Sequence, residues 1–420
     1  MKVAVLAVVL TLVIVWLLAN LATGEKRVAQ RIEHRYAASD PQFQYLMGVL
    51  LGPPVVPGNQ VGTLINGDQI FSSMLTAIGS AQQSVCFETF IYWSGDIGRA
   101  FADALAERAR AGVSVLVMLD WIGTSKMDAA LLDELREAGA QIERYHKPSW
   151  TGLGKLNNRT HRKLLIVDGR IGFTGGVGIA DEWTGDAQDP MHWRDTHFRI
   201  VGPAVAQMQA VFMDNWIKTS NTVLHDIRYF PRLEDAGPSP AQVFMSSANG
   251  GSTSMEVMYL LSIASAARSI RLSSSYFVPN RVAVDAFVAA TKRGVKIQII
   301  TPGRNIDAGI VRAASRAKWG PLLKAGVEMF EYQPTMFHVK VMVVDELMVS
   351  CGSTNFDDRS FRLNAEANLN VYDAEFAALQ VRVFDDDLSR SKRIGMAQWK
   401  RRPWLERLEG AVAAMMDSQL

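Results

Sequence analysis

Two histidines each stand two residues before a lysine and seven before an aspartate: His161-x-Lys163-x4-Asp168 in "HRKLLIVD" and His338-x-Lys340-x4-Asp345 in "HVKVMVVD". With charged residues about a quarter of average composition, a given histidine meets both conditions roughly once in 250. This chain has seven histidines and meets them twice. An imidazole beside an ammonium suits chemistry at a phosphodiester. The anionic oxygens repel a nucleophile, so a site needs cations around phosphorus, a nucleophile and an acid for the departing alcohol. Lys163 and Lys340 supply the cations; one imidazole attacks while the other, protonated, donates to the leaving oxygen and then deprotonates the incoming alcohol. The scheme needs no metal and no cofactor.

The residues following each histidine read as a strand, in which side chains at i and i+2 share a face. His161 and Lys163 therefore point one way with Leu165 and Val167, and Arg162, Leu164 and Ile166 point the other. Asp168 falls on the opposite face from His161 and opens "DGR", a hairpin turn, so its expected role is framework; Asp345 repeats it. A nucleophilic imidazole must be held in one tautomer by a carboxylate on its far nitrogen. Glu366, in "NAEANLN" where polar residues alternate, is the candidate for His338. Asp195, in "WRDTHFRI", is the candidate for His161.

The elements around the signatures occur twice. "SVCFETFIY", "IGRAFADALAERARAG", "VSVLVMLD" and "LLDELREAGAQIERY" precede the first; "SIRLSSSYF", "VAVDAFVAATKRG", "VKIQIITP" and "LLKAGVEMFEY" precede the second. Ser84 matches Ser269, Gly112 matches Gly294 and Gly139 matches Gly326. Strands alternating with amphipathic helices indicate an α/β sheet with helices on its faces. The expected organisation is an anchor over 1–23, a juxtamembrane segment and linker over 24–60, and two halves over 61–235 and 236–420. Two such halves can face each other across a pseudo-twofold axis and build one site.

The paired signature resembles that of the phospholipase D superfamily. Further stretches, "FTGGVGIADEW", "HWRDTHFRIVGPAV", "SYFVPN", "GSTNFDDRSFRLNAEANLNVYD" and "SRSKRIG", are similar to the bacterial cardiolipin synthases of that superfamily, over about residues 60 to 395. The resemblance implies two α/β/α halves sharing one active site, with His161, Lys163, Asp168, His338, Lys340 and Asp345 as its signature residues. It implies a phosphohistidine intermediate, with His161 as nucleophile and His338 as acid and base by analogy. It implies phosphatidylglycerol, or a related donor, going to cardiolipin and glycerol. Ser353 and Asn355, just after the second signature, are expected to hold phosphate oxygens. The first half has "GGVG", Gly175 to Gly178, at that place, where glycines either bring backbone amides to phosphate or only form a tight turn. A hydrolase using water as acceptor is the rival reading. A nuclease would call for a basic, aromatic-lined groove, and a non-catalytic scaffold would be expected to have lost one of the four His and Lys residues.

The chain has 420 residues, 48% of them hydrophobic, with net charge +2 and two cysteines. Neither disorder nor generic nucleic-acid binding is favoured by this balance, and Cys86 and Cys351 read as separate buried thiols. Val3 to Ala22 runs twenty residues without a charge, long enough for a membrane helix. Lys26, Arg27, Arg31 and Arg35 follow it, against Lys2 before it, which places the catalytic part on the cytoplasmic side of a cell membrane. Phospholipid and membrane are therefore the expected partners, with no nucleic acid. The tail "RSKRIGMAQWKRRPWLERL" reads equally as an anionic-membrane contact and as a solvated basic helix packed by Trp399 and Trp404. His146, His192 and His197 lack metal-ligand spacing. Glu88, whose counterpart is Ser273, is a carboxylate in an apolar strand and is expected to bond a neighbouring loop.

Overall fold

The computed structural model describes residues 2–21, 28–145, 157–247 and 253–414. In the first half the strands are β1 (Val56–Ile65), β2 (Ser84–Thr89), β3 (Ser114–Asp120), β4 (Gln141–Tyr145), β5 (Arg159–Thr160), β6 (Leu164–Val167), β7 (Ile171–Gly175) and β8 (Thr196–Val201). In the second they are β9 (Ser239–Ser246), β10 (Ser269–Ser274), β11 (Phe277–Val278), β12 (Lys296–Pro302), β13 (Glu328–Tyr332), β14 (Lys340–Val344), β15 (Met348–Gly352), β16 (Phe356–Asp357), β17 (Asn364–Tyr372) and β18 (Ser391–Ile394).

The order from the middle outward is β1-β8-β7-β6-β2-β3-β4 on one side and β9-β17-β15-β14-β10-β12-β13 on the other, with β18 at the far edge. One sequence of strands is thus laid down twice, and the copies join edge to edge where β1 pairs antiparallel with β9. Helices 66–79, 96–110 and 129–137 share a core with one face of the first run, and helices 254–265, 281–292 and 309–325 with one face of the second. The other faces meet in a central apolar cluster, where Ile166 and Phe198 of one half share a core with Val343 and Leu369 of the other. Helices Ala204–Ser220 and Ala374–Ser389 belong to that cluster through Trp216 and Phe384.

The side-chain alternation expected of the signature strands places Leu164 and Ile166 in the central cluster and Leu165 and Val167 in the outer one. The matched glycines do matched work: Gly112 and Gly294, each just ahead of a strand, have φ of 87° and 90°, a left-handed conformation that favours glycine. Part of the stretch read as juxtamembrane segment and linker is a helix, Pro41–Leu51, started by Asp40 and packed through Phe43 and Met47 on the second half. Among the described side chains no helix is long and apolar enough to cross a membrane. The N-terminal helix Lys2–Leu21 carries Val5, Leu6, Val8, Leu10 and Ile14 exposed.

Candidate active site

Neither histidine lies inside a strand ladder. Thr160 ends β5 and Leu164 opens β6, so His161 to Lys163 is an extended link; His338 stands two residues ahead of the first residue of β14. Each link is held by the opposite half. β5 pairs in parallel with β17, and His161 N–H donates to Ala365 O at 2.9 Å. Reciprocally, Phe337 bridges to Arg194, and His338 N–H donates to Arg194 O at 2.8 Å.

This crossing decides the carboxylate partners, and it reverses the expected pairing. His161 Nδ1 lies 2.9 and 3.0 Å from the two oxygens of Glu366, and His338 Nδ1 lies 2.8 Å from Asp195 Oδ2. Alternation along a strand shows which face Glu366 occupies but not whose signature segment crosses to meet it. With each Nδ1–H donated to a carboxylate, Nε2 is the nitrogen left on each ring for chemistry. Lys163 and Lys340 bend back, each Nζ donating to the carbonyl of the histidine two residues before it at 2.9 Å.

Ser353 departs from its expected place on phosphate. Its hydroxyl proton goes to Glu366 Oε2 at 2.5 Å and its oxygen accepts Ala367 N–H at 3.0 Å, so it steadies the carboxylate that steadies His161. Asn355 does line the pocket beside His161; its Oδ1 accepts from Ser275 Oγ at 3.0 Å, and Ser275 in turn accepts from Lys340 at 2.6 Å. The first half solves the same problem differently. A Cβ on Gly176 would lie 2.3 Å from Asp195 Oδ1, so glycine is what admits the shorter carboxylate, and its N–H is turned to Thr196 O at 3.5 Å. The donor that Ser353 supplies to Glu366 is replaced by the indole N–H of Trp183, 3.0 Å from Asp195 Oδ2. The Trp183 ring then meets the His338 ring edge-on at 5.2 Å, and Trp193 tilts against it at 5.6 Å. Phe90 does the same for His161 at 5.2 Å. Sequence reasoning passed over Trp183, Ser275 and Phe90; the signal for them is their place in stretches that differ between the two repeats.

Burial and mutual repulsion set the charges. Burial lowers His161 to about 4, although Glu366 opposes it, and lowers His338 with help from the Lys340 charge. Burial and the neighbouring Lys340 bring Lys163 down to about 7; burial brings Lys340 to about 8. Burial works against the charged forms of Asp195 and Glu366, yet the histidines and lysines outweigh it and hold both below the usual carboxylate range. Asp195 and Glu366 offset part of the cost of burying the two lysines side by side, and a phosphate between the lysines offsets more.

Asp168 and Asp345 lie at the other end of their strands, about 16 Å from the lysines at roughly 3.3 Å per residue. Both adopt left-handed φ, 52° and 53°, at the hairpin turn. Asp168 accepts the N–H groups of Gln82, Gln83 and Ser84, and Asp345 those of Ala267, Arg268 and Ser269, so the signature aspartates pin the start of the neighbouring strand rather than touch the site. Glu88 is fully buried; it accepts from Thr160 Oγ1 and, at 2.6 Å, from Asn215 Nδ2, a bond to the segment that carries His161. Burial, against the pull of Arg162, raises its pKa. His192 bonds Asp189 at 2.8 Å, His197 is buried on β8, and His146 lies outside the described residues. Among the described residues no group of three or more His, Cys, Asp or Glu side chains is arranged to hold a metal ion. The cavity beside His161 holds about 260 Å³ and is lined by Phe90, Arg159, Tyr276, Asn355, Asp357 and Arg359.

A family model described as "Cardiolipin synthase, PLD-like domain" matches residues 74–216 and 259–388. The cardiolipin synthase of Geobacillus kaustophilus (strain HTA426) is 33% identical over 370 residues, covering 87% of this chain and 74% of that protein. The major cardiolipin synthase of Bacillus subtilis (strain 168) is 32% identical over 362 residues, covering 86% and 75%. In fold, the chain resembles the crystal structure of a phosphatidylserine synthase from Haemophilus influenzae Rd KW20, with a TM-score of 0.70 at 12% identity over 90% of this chain and 100% of that one. The chain belongs to the cardiolipin synthase family of phospholipase D-like proteins.

Proposed function

We propose that this protein is a phosphatidyltransferase that makes cardiolipin from phosphatidylglycerol, releasing glycerol, through a phosphohistidine formed in one site shared by two halves, 61–235 and 236–420, about a pseudo-twofold axis. The observation that carries the reading is the crosswise pair of imidazole–carboxylate contacts, His161 with Glu366 and His338 with Asp195, flanking two buried lysines. Lys163, Lys340 and Asn355 hold the phosphodiester oxygens. His161 Nε2 attacks phosphorus as the glycerol oxygen leaves with a proton from His338. His338 then takes the proton of a second phosphatidylglycerol hydroxyl, whose oxygen attacks phosphorus and frees His161. Every residue of this scheme belongs to the chain, and each proton given by His338 in the first step is regained in the second.

The uncharged run from Val3 to Ala22 supports a single membrane anchor, and the basic residues after it support a cytoplasmic catalytic part. The test is product analysis with the purified full chain in phosphatidylglycerol vesicles. Cardiolipin and glycerol are expected, with only minor phosphatidic acid, and His161→Ala and His338→Ala each abolish both. Phosphatidic acid as the main product would make the protein a hydrolase; labelled phosphatidyl trapped on His338 would exchange the roles of the histidines. Deleting residues 1–23 is expected to release the protein from the membrane pellet at high salt.

A further inference from the structure

The C-terminal tail, read from sequence as either a membrane contact or a packed basic helix, is divided between the two. Trp399 is packed: its indole N–H donates to Arg316 O at 2.6 Å, and Arg402 covers its ring at 4.3 Å. Trp404 is 75% exposed and begins the helix Trp404–Ala414, in which Leu408 and Val412 follow at intervals of four and are 53% and 49% exposed. Residues four apart lie on one helix face. That face is apolar and points outward, while the small residues Gly410 and Ala413 are buried, Gly410 close against Ala313 of the Gly309–Ala325 helix. Ile310, 49% exposed, lies across from the stripe, and the two helices enclose a groove of about 830 Å³ lined by Ile306, Ile310, Leu408 and Val412 with Arg304, Arg312 and one acid, Glu409.

The groove and the catalytic cavity lie on either side of shared walls, with a space of only about 10 Å³ between them. Ile306 and Arg312 also line a small cavity with Tyr276 and Val311, and Tyr276 and Val311 line the pocket that holds His161. The flank is basic: seven Lys and Arg residues stand against two acids, Glu406 and Glu409, between 390 and 409, and Lys400, Arg401 and Arg407 are exposed.

We propose that this groove is the face by which the protein docks on an anionic phospholipid bilayer. Trp404, Leu408, Val412 and Ile310 enter the interfacial region, and Lys400, Arg401 and Arg407 take the headgroups. An outward apolar stripe edged by Trp and basic residues is the pattern of an interfacial helix, and the charge complementarity of that edge to an anionic surface selects a lipid bilayer over a protein as its occupant. The inference rests on the proposed lipid chemistry and adds the surface that meets the bilayer.

Cys86 and Cys351 are fully buried, so a thiol-reactive fluorophore on the full-length Leu408→Cys protein labels that position selectively. In vesicles of brominated phosphatidylglycerol the label at 408 is expected to be strongly quenched, and a label on Glu137→Cys, an exposed residue of the first half, is not. No quenching at 408, or equal quenching at both, overturns the docking face and leaves the stripe to a protein partner. In a second arm, Leu408→Asp with Val412→Asp is expected to lower transfer on vesicular phosphatidylglycerol by about tenfold or more while sparing a short-chain, monomeric phosphatidylglycerol. Equal loss on both substrates overturns it as well. Should the wild-type protein transfer nothing on either substrate, the proposed reaction fails while the quenching arm still decides the surface.

Discussion

At the residue scale the two halves of the site are alike in purpose and unlike in means. Glu366 is long and receives a serine hydroxyl; Asp195 is short, admitted by Gly176, and receives an indole N–H. Trp183→Phe keeps a ring against His338 and removes only the donor. A hydrogen bond to a carboxylate is worth about 1.5 kcal/mol, so Tm should fall by a few degrees, and kcat should fall by up to about tenfold with KM nearly unchanged. Ser353→Ala is expected to do the same through His161, and steady-state kinetics that show no change in kcat for either variant would remove these two residues from the mechanism. The charges make a second prediction. Lys163 and Lys340, near 7 and 8 in the free protein, lose their charge as pH rises through that range, and His161 gains a proton only as pH falls toward about 4. The profile of kcat/KM should therefore decline above neutrality and again in acid. A bound phosphate raises both lysines, so calorimetry in buffers of different ionisation enthalpy should show proton uptake on binding donor lipid near pH 7.5.

At the scale of elements, the signature names more than chemistry. Each aspartate closes a hairpin in the left-handed conformation that Asp tolerates and spends its carboxylate on three backbone amides of the adjoining strand. Asp168→Asn and Asp345→Asn are expected to cost about 2 kcal/mol each in urea unfolding, since hydrogen bonds to a charged acceptor are exchanged for weaker ones. Activity per folded molecule should remain near wild type; a large loss of kcat without loss of stability would mean that these residues reach the site. This framework role was legible in the sequence, because an odd spacing puts Asp168 on the face opposite His161 and "DGR" announces a turn. The helix Pro41–Leu51 was not. It sits in a Pro- and Gly-flanked stretch, and only the presence of the second half's apolar surface makes burying Phe43 and Met47 worthwhile.

For the whole molecule, the halves are coupled by more than their shared cluster. Arg194 of the first half makes a bidentate pair with Asp387 of the second, both bonds 2.8 Å and both side chains buried. Its backbone carbonyl meanwhile holds His338. Arg162 returns the tie from the other direction, fully buried between Val211 O, Ser246 O and the carbonyl of Glu366. Removing one partner of a buried pair strands the other, so Asp387→Asn should lower stability by about 3 to 5 kcal/mol. Scanning calorimetry is expected to show one transition displaced downward for both halves together. Two separated transitions in the wild-type protein would contradict a common core.

The sequence by itself determined the duplicated α/β pattern, the four candidate catalytic side-chain types and the turn role of the aspartates, because these depend on local period and spacing. It also contained both orienting carboxylates. What it held no information about was which carboxylate meets which histidine. That depends on each signature segment crossing the seam to pair with the other half, a contact between residues 205 apart for His161 and Glu366 and 143 apart for His338 and Asp195. Ser353 is a phosphate ligand by sequence for the same reason: its hydroxyl sits near the site along the chain, and only the fold shows its proton given to Glu366. Periodicity fixes the face of a strand; the partner on that face is chosen by tertiary packing.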